Sequence, residues 1–187
     1  MTAMLRRRSF VAMAAAAALA PRAWAQPAAA PAVPPEVAAV LPGATLQGSG
    51  RLRFVGLSVY DARLWRGPSP LAADWTTAPL ALELVYRRSL VGRLIAERSL
   101  KEMRRQRDIS DDEAGRWLAA MTQVFPDVKE GDRITGLHVP GLGARFAVNG
   151  AVKGDVRDPE FARLFFGIWL SEKTSEPALR RALLGAA

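Results

Sequence analysis

The chain holds one histidine, His138, and no cysteine. Those two counts remove most side-chain chemistry at once. Cysteine nucleophiles, thiolate metal sites and disulfides are excluded, and a multi-histidine metal site cannot be built within one chain. A serine triad needs His138 as its base, yet no G-x-S-x-G elbow presents a nucleophile. His138 lies in a strand-like run close to Pro140 and reads as a surface or half-buried strand residue. Asp108, Asp111, Asp112 and Glu113 are the one dense group of acids. Ser110-Asp111-Asp112-Glu113 has capping-box spacing, so capping and helix-dipole compensation account for them without a metal. Gly141-Leu142-Gly143 leads into no helix and is neither a P-loop nor a dinucleotide fingerprint. Arg104, Arg105 and Arg107 alternate with Glu97, Glu102 and Asp108, the pattern of a solvated helix face. One feature remains suggestive. Arg51, Arg53, Arg87 and Arg88 flank apolar strands, which suits an apolar cleft with a cationic mouth and a carboxylate or phenolate on a hydrophobic body. No catalytic residue, metal or cofactor is expected.

The elements around these residues follow from periodicity. Arg51 to Trp65 reads as one long central strand, apolar on both faces and bent at Gly56. Leu80 to Tyr86 alternates as a second strand. A helix over Leu90–Arg107 precedes the one that Ser110 caps, which ends before Pro126. Arg133–Val139, Ala144–Val148 and Ala151–Val156 read as strands, the last two joined by Asn149-Gly150, a strong hairpin signal. Asp158-Pro159 opens a helix with an acidic N-cap and proline in its first turn. Phe161, Leu164, Phe165, Ile168 and Trp169 give that helix a thick apolar stripe, and Ser175–Leu184 closes the chain as a short helix. The order implies an α+β fold, an antiparallel-dominated sheet with helices on one side.

The amino end has a different grammar. Arg6, Arg7 and Arg8 precede an apolar run, Val11 to Ala20, too short to span a bilayer. Ala23-Trp24-Ala25 then places small residues where a signal peptidase reads, so residues 1–25 are expected to be a signal peptide cut before Gln26. Arg7-Arg8 followed by Ser9-Phe10-Val11 resembles the twin-arginine export pattern, with an ordinary Sec signal as the alternative. Residues 26–40 read as a Pro/Ala-rich tether and 41–187 as the domain, periplasmic or secreted. Four arginines leave with the signal (Arg6, Arg7, Arg8 and Arg22), so the net charge falls from +8 to +4. That mild excess argues against nucleic acid as a partner. No integral membrane segment remains after cleavage.

Three stretches carry a resemblance: GSGRLRFVGLSVYDARLW, FPDVKEGDRITGLHVPGLGARFAVNGAVKGDV, and DPEFARLFFGIWLSEKTSEPALRRALL. In this order, with an LELVY strand and helices between the first two, the sequence is similar to the bacterial chalcone isomerase-like family over about residues 43–184. The resemblance implies an open-faced β-sandwich, a large antiparallel sheet with a layer of helices. Plant members close a flavanone ring with an arginine before the first long strand, a threonine on it, and a tyrosine and an asparagine on the next helix. Position by position the match fails. Leu41–Gly50 contains no arginine, the threonine position falls on Val55, and Val91–Arg107 contains neither tyrosine nor asparagine. The resemblance therefore implies a non-catalytic exported protein, related to the fatty-acid-binding members, that holds an apolar or amphipathic small molecule between sheet and helices. Val55 and Leu57 are expected to line the cleft, with Arg53 and Arg93 near a ligand anion. The alternatives are an isomerase or intramolecular lyase with a rebuilt site, and an interaction protein with no small ligand.

Overall fold

The computed structural model describes residues 31–185; the expected signal peptide and the start of the tether lie outside them. Six strands run in chain order, each antiparallel to the next: β1 (Thr45–Phe54), β2 (Leu57–Arg66), β3 (Leu80–Tyr86), β4 (Arg133–Val139), β5 (Gly143–Val148) and β6 (Ala151–Val156). Helices α2 (Gly92–Met103) and α3 (Asp111–Val124) fill the β3–β4 connection, and α4 (Pro159–Leu170) and α5 (Pro177–Leu184) follow β6. A short helix, α1 (Pro35–Val40), precedes the sheet. The α+β expectation of an antiparallel sheet with a helical layer stands.

Two local expectations do not. Arg51–Trp65 is not one bent strand but the heart of a hairpin, with Val55 and Gly56 as its two-residue turn. Both turn residues have positive φ, 48° and 77°. Asn149 and Gly150 make the same kind of turn at 50° and 88°. Asparagine tolerates this region and announces the turn, whereas β-branched valine does neither. The second correction concerns Pro35–Val40, expected as part of the tether. It forms α1, and its Val37 and Leu41 just beyond pack with Trp65, Ala81 and Leu137 in a small core of their own.

The alternation of the strands decides which face goes where. Ala62 and Leu64 of β2, Leu80, Leu82, Leu84 and Tyr86 of β3, Ile134 of β4 and Phe146 of β5 all join the main core beneath the helices. The intervening residues meet α1 or solvent. There Glu36 accepts hydrogen bonds from Arg133 Nε (3.0 Å) and Thr135 Oγ1 (2.9 Å). Glu83 accepts from Trp65 Nε1 (2.9 Å) and Arg63 Nη1 (3.1 Å). Both buried carboxylates are thus fully partnered, as burial of charge requires. Arg51 and Arg87 converge on Asp61, and Arg145 pairs with Asp155 at 2.7 Å, so the rest of this face carries cross-strand ion pairs.

The helical layer is fixed by its caps. Ser110 and Glu113 form the reciprocal capping box of α3. Asp158 caps α4 through Oδ1 and accepts from Trp117 Nε1 of α3 through Oδ2 at 2.8 Å, tying the two helices together. Arg107 links Glu113 and Glu160 at 2.8 and 2.7 Å.

Val55 holds a left-handed conformation at an exposed tip, where packing returns nothing for the strain. Replacing it with asparagine should raise the unfolding free energy by about 1 kcal/mol in denaturant titration. The reverse exchange, Asn149→Val, should lower stability by more, because Asn149 also bonds Arg133 N–H and Asp132.

Candidate functional site

A cavity of about 290 Å³ lies between the helix-facing side of the sheet and helices α2 and α4. Leu52, Leu82, Leu84 and Ile134 form its floor from β1, β3 and β4, and Gly136 leaves room beside them for the Phe146 and Phe166 rings. Phe146 and Phe165 make one wall, and Ile95, Ile168 and Trp169 form the roof. The wall is an aromatic lattice. Phe146 meets Phe125 and Phe165 edge-on, both at 5.1 Å between centroids, and Phe165 in turn meets Trp169 at 5.5 Å. Side chains so interlocked set a fixed interior surface.

Two phenols supply the inner polar groups. Tyr60 and Tyr86 are directly paired across β2 and β3, their rings edge-on at 5.9 Å. Trp169 Nε1 donates to the Tyr60 hydroxyl at 2.9 Å, which leaves the Tyr60 proton free to donate. Tyr86 lines the cavity beside it and is 2% exposed. Burial pushes both phenols well above the ordinary tyrosine range. They are protonated at neutral pH and act as hydrogen-bond donors, not bases.

The rim is charged. Arg88 follows β3, and Arg98 and Glu102 sit one turn apart on α2, paired at 2.7 Å. Glu176, just before α5, adds a second carboxylate. Ser99 donates to Ile95 O at 2.9 Å, a bond within α2.

Of the residues expected to meet a ligand, none lines this cavity. Val55 and Leu57 are at the exposed hairpin tip, because the assumed single strand is two. Arg53 lies beside them on the surface, and Arg93 points outward in an ion pair with Glu97. Of the four arginines expected at a cationic mouth, Arg88 is there; Arg51 and Arg87 are held by Asp61 on the opposite face. The hollow is therefore not the donor-free, valine-lined one that position-by-position matching implied. Its phenols were legible only once the strand register was known, which places Tyr60 and Tyr86 among the apolar, helix-facing positions.

No other chemistry assembles nearby. His138 is buried rather than half-buried, at 4% exposure, with Nδ1 3.1 Å from Ala78 O and its ring edge-on to Trp75 and Phe166. Among the described residues no three His, Asp or Glu side chains gather as a metal site. Glu113 is committed to Arg107 and to its cap, which hold its carboxyl at about 2.

Comparison with known proteins places this architecture. Residues 42–185 match the family described as chalcone isomerase-like. The chain belongs to the chalcone isomerase-like family. Its fold is similar to that of the Arabidopsis thaliana fatty-acid binding protein AtFAP1, with a TM-score of 0.61 and 15% identity. The likeness covers 76% of this chain and 87% of that one. No curated protein matches in sequence. Within the family's open-faced fold, this member builds its cavity polarity from Tyr60, Tyr86 and the rim arginines.

Burial holds the His138 imidazole below its ordinary value of 6.5, only partly opposed by the Ala78 carbonyl. A neutral, depressed histidine lends its full stability above the unfolded pKa and loses it as pH falls through the folded one. Unfolding free energy should therefore drop from about pH 6.5 downward, and His138→Asn should flatten that window. A separate loss below about pH 4 should persist in the variant, because Asp61, Asp132 and Asp155 are held low by their hydrogen-bonded partners.

Proposed function

We propose that this protein binds a single-chain, apolar small molecule with an anionic head, fatty-acid-like in character, and does not transform it. The cavity carries this reading: an apolar interior whose inner polar groups are two protonated phenols, opening at a rim with Arg88 and Arg98. Hydrocarbon gains about 25 cal/mol per Å² on leaving water for such a surface. A carboxylate is served by guanidinium at the rim and by neutral O–H donors, and the inner polar groups, as protonated phenols, are donors rather than bases. The volume is at the small end of ligand pockets, so one chain fits and a diacyl lipid does not. The similarity in fold to a fatty-acid binding protein is consistent with this reading.

One observation favours a second reading, an isomerase of chalcone isomerase type with a rebuilt site. Tyr60, Tyr86 and Arg98 put hydroxyls and a guanidinium around one cavity, the kinds of group that stabilise a developing oxyanion.

Displacement of a fluorescent fatty acid separates the two. We expect saturable binding to the wild type, and Arg88→Ala and Arg98→Ala each to weaken a carboxylate ligand about fivefold while leaving its methyl ester nearly unchanged. Chalcone absorbance should stay constant with purified protein. Ring closure that disappears in Tyr86→Phe would replace binding with catalysis as the function.

Export completes the proposal, resting on Arg6–Arg8, the Val11–Ala20 run and Ala23-Trp24-Ala25. The intact mass of periplasmic protein should correspond to a chain beginning at Gln26. Arg7→Lys combined with Arg8→Lys should retain it in the cytoplasm if the twin-arginine route is used, and leave export unaffected on the Sec route.

A further inference from the structure

Seven large hydrophobic side chains are exposed among the described residues, and five of them crowd one place. Phe54 (59% exposed), Val55 (84%) and Leu57 (56%) form the tip of the β1–β2 hairpin. Val91 (47%) and Leu94 (51%) stand at the start of α2. Phe54, Val91 and Leu94 also line the cavity, so the greasy patch is the lip of its opening. The two remaining side chains, Leu142 and Val152, lie elsewhere: Leu142 at the opposite end of the sheet and Val152 on the far edge strand.

Three further observations say what covers this lip. The first is backbone strain. Val55 occupies a left-handed turn position that Asn149 occupies without penalty in the other two-residue turn. An apolar β-branched residue is kept at the most exposed point of the patch against its own backbone preference. Strain of this kind, uncompensated by packing, marks a surface with a use.

The second is charge. Arg88 and Arg98 line the opening, Arg93 follows Val91 at the start of α2 and Arg53 precedes Phe54 at the tip, against Glu97, Glu102 and Glu176. Arg93 and Arg98 pair with Glu97 and Glu102, whereas Arg53 and Arg88 have no ion pair among the described residues. A ring with excess guanidinium around protruding apolar side chains matches a surface that offers phosphates outside and hydrocarbon inside. The third is shape. The patch is a projecting loop tip beside a helix end, and the opening lies between them. A protein seated there would plug the cavity, whereas acyl chains would continue into it.

We propose that the cavity lip is a docking surface for an anionic lipid bilayer. The hairpin tip and the start of α2 enter the headgroup–acyl boundary, the arginines rest on lipid phosphates, and the cavity opens onto the leaflet. The proposal rests on the apolar-ligand reading for its purpose, but its test does not depend on a ligand.

Because the chain has no cysteine, Val55→Cys gives a unique site for an environment-sensitive dye, and Leu142→Cys gives a control on the opposite end of the sheet. With the full chain and vesicles of phosphatidylcholine containing phosphatidylglycerol, the dye at position 55 should shift to the blue and brighten severalfold. The dye at position 142 should not change, whatever other part of the chain touches lipid. Val55→Asn combined with Leu57→Ser should lower vesicle partitioning by tenfold or more, yet keep fatty-acid binding in solution, since neither residue lines the cavity. The relief of strain at position 55 guards this variant against misfolding.

An unshifted dye at position 55, equal shifts at both positions, or unchanged partitioning of the double variant would each overturn the proposal. So would a blue shift without vesicles that grows with protein concentration, which would assign the lip to a second copy of the chain. Failure here with retained fatty-acid binding leaves the ligand reading intact. Loss of fatty-acid binding in the wild type, with the dye response preserved, would do the opposite.

Discussion

The spacing between sheet and helices is set by one aromatic seam, and the site follows from it. Phe161, Phe165 and Trp169 recur along one side of α4 and interlock with Phe146 of β5 and with Phe125, which ends α3. At its far end the seam passes from packing to hydrogen bonding, where Trp169 Nε1 meets the Tyr60 hydroxyl of β2. Rings cannot be compressed, so α4 stands off the sheet by a fixed distance across four strands. Where the rings fill that gap there is core. Where they leave it open, between Tyr60, Tyr86, Phe146 and Phe165, the gap becomes the cavity.

The two faces of the sheet divide the electrostatic work. Towards the helices nearly every strand position is apolar. The other face carries cross-strand ion pairs and the two buried carboxylates, Glu36 and Glu83, each met by an arginine and one neutral donor. The consequence for the site is one of exclusion. Arg51, Arg63, Arg87 and Arg145 are committed to acids on the outer face, which leaves Arg88 and Arg98 as the guanidiniums beside the cavity. A chain rich in arginine therefore presents few of them to a ligand, and those few only at the rim. The interior keeps polar groups that need no counter-ion.

How much of this could be read from the chain depended on whether a signal was local. Asn149-Gly150, the Ser110–Glu113 box and Asp158-Pro159 each encode their geometry within four residues, and the turn, the cap and the helix start are all found there. The α4 stripe was legible from its period. Val55-Gly56 was not, because its conformation contradicts the preference of valine; the run then looked like one strand with two apolar faces. That single misreading moved the expected site. It put Val55 and Leu57 into a cleft they do not line, and it hid the pairing of Tyr60 with Tyr86, which exists only through the hairpin register. Helix α1 was concealed for another reason: Pro35–Val40 has the composition of the tether before it, and only contact with Trp65 and Leu137 makes Val37 a core residue.

The same hairpin sets which positions face the cavity. A fold conserves where a cavity can be, not which positions furnish its polar atoms. Matching a strand residue by residue assumes that the strand is continuous and in register, and the turn at Val55-Gly56 together with the register shift beside Leu52 breaks both assumptions. The polar groups have to be found by their place on the sheet instead. On that basis the protonated phenols of Tyr60 and Tyr86 are what a ligand's polar end can meet inside, and guanidinium is what it meets on the way in. A group that donates but does not accept a proton at neutral pH orients an anion or stabilises one that develops. The polarity of the cavity's interior therefore rests, in this protein, on two buried phenols rather than on a threonine at the position of Val55.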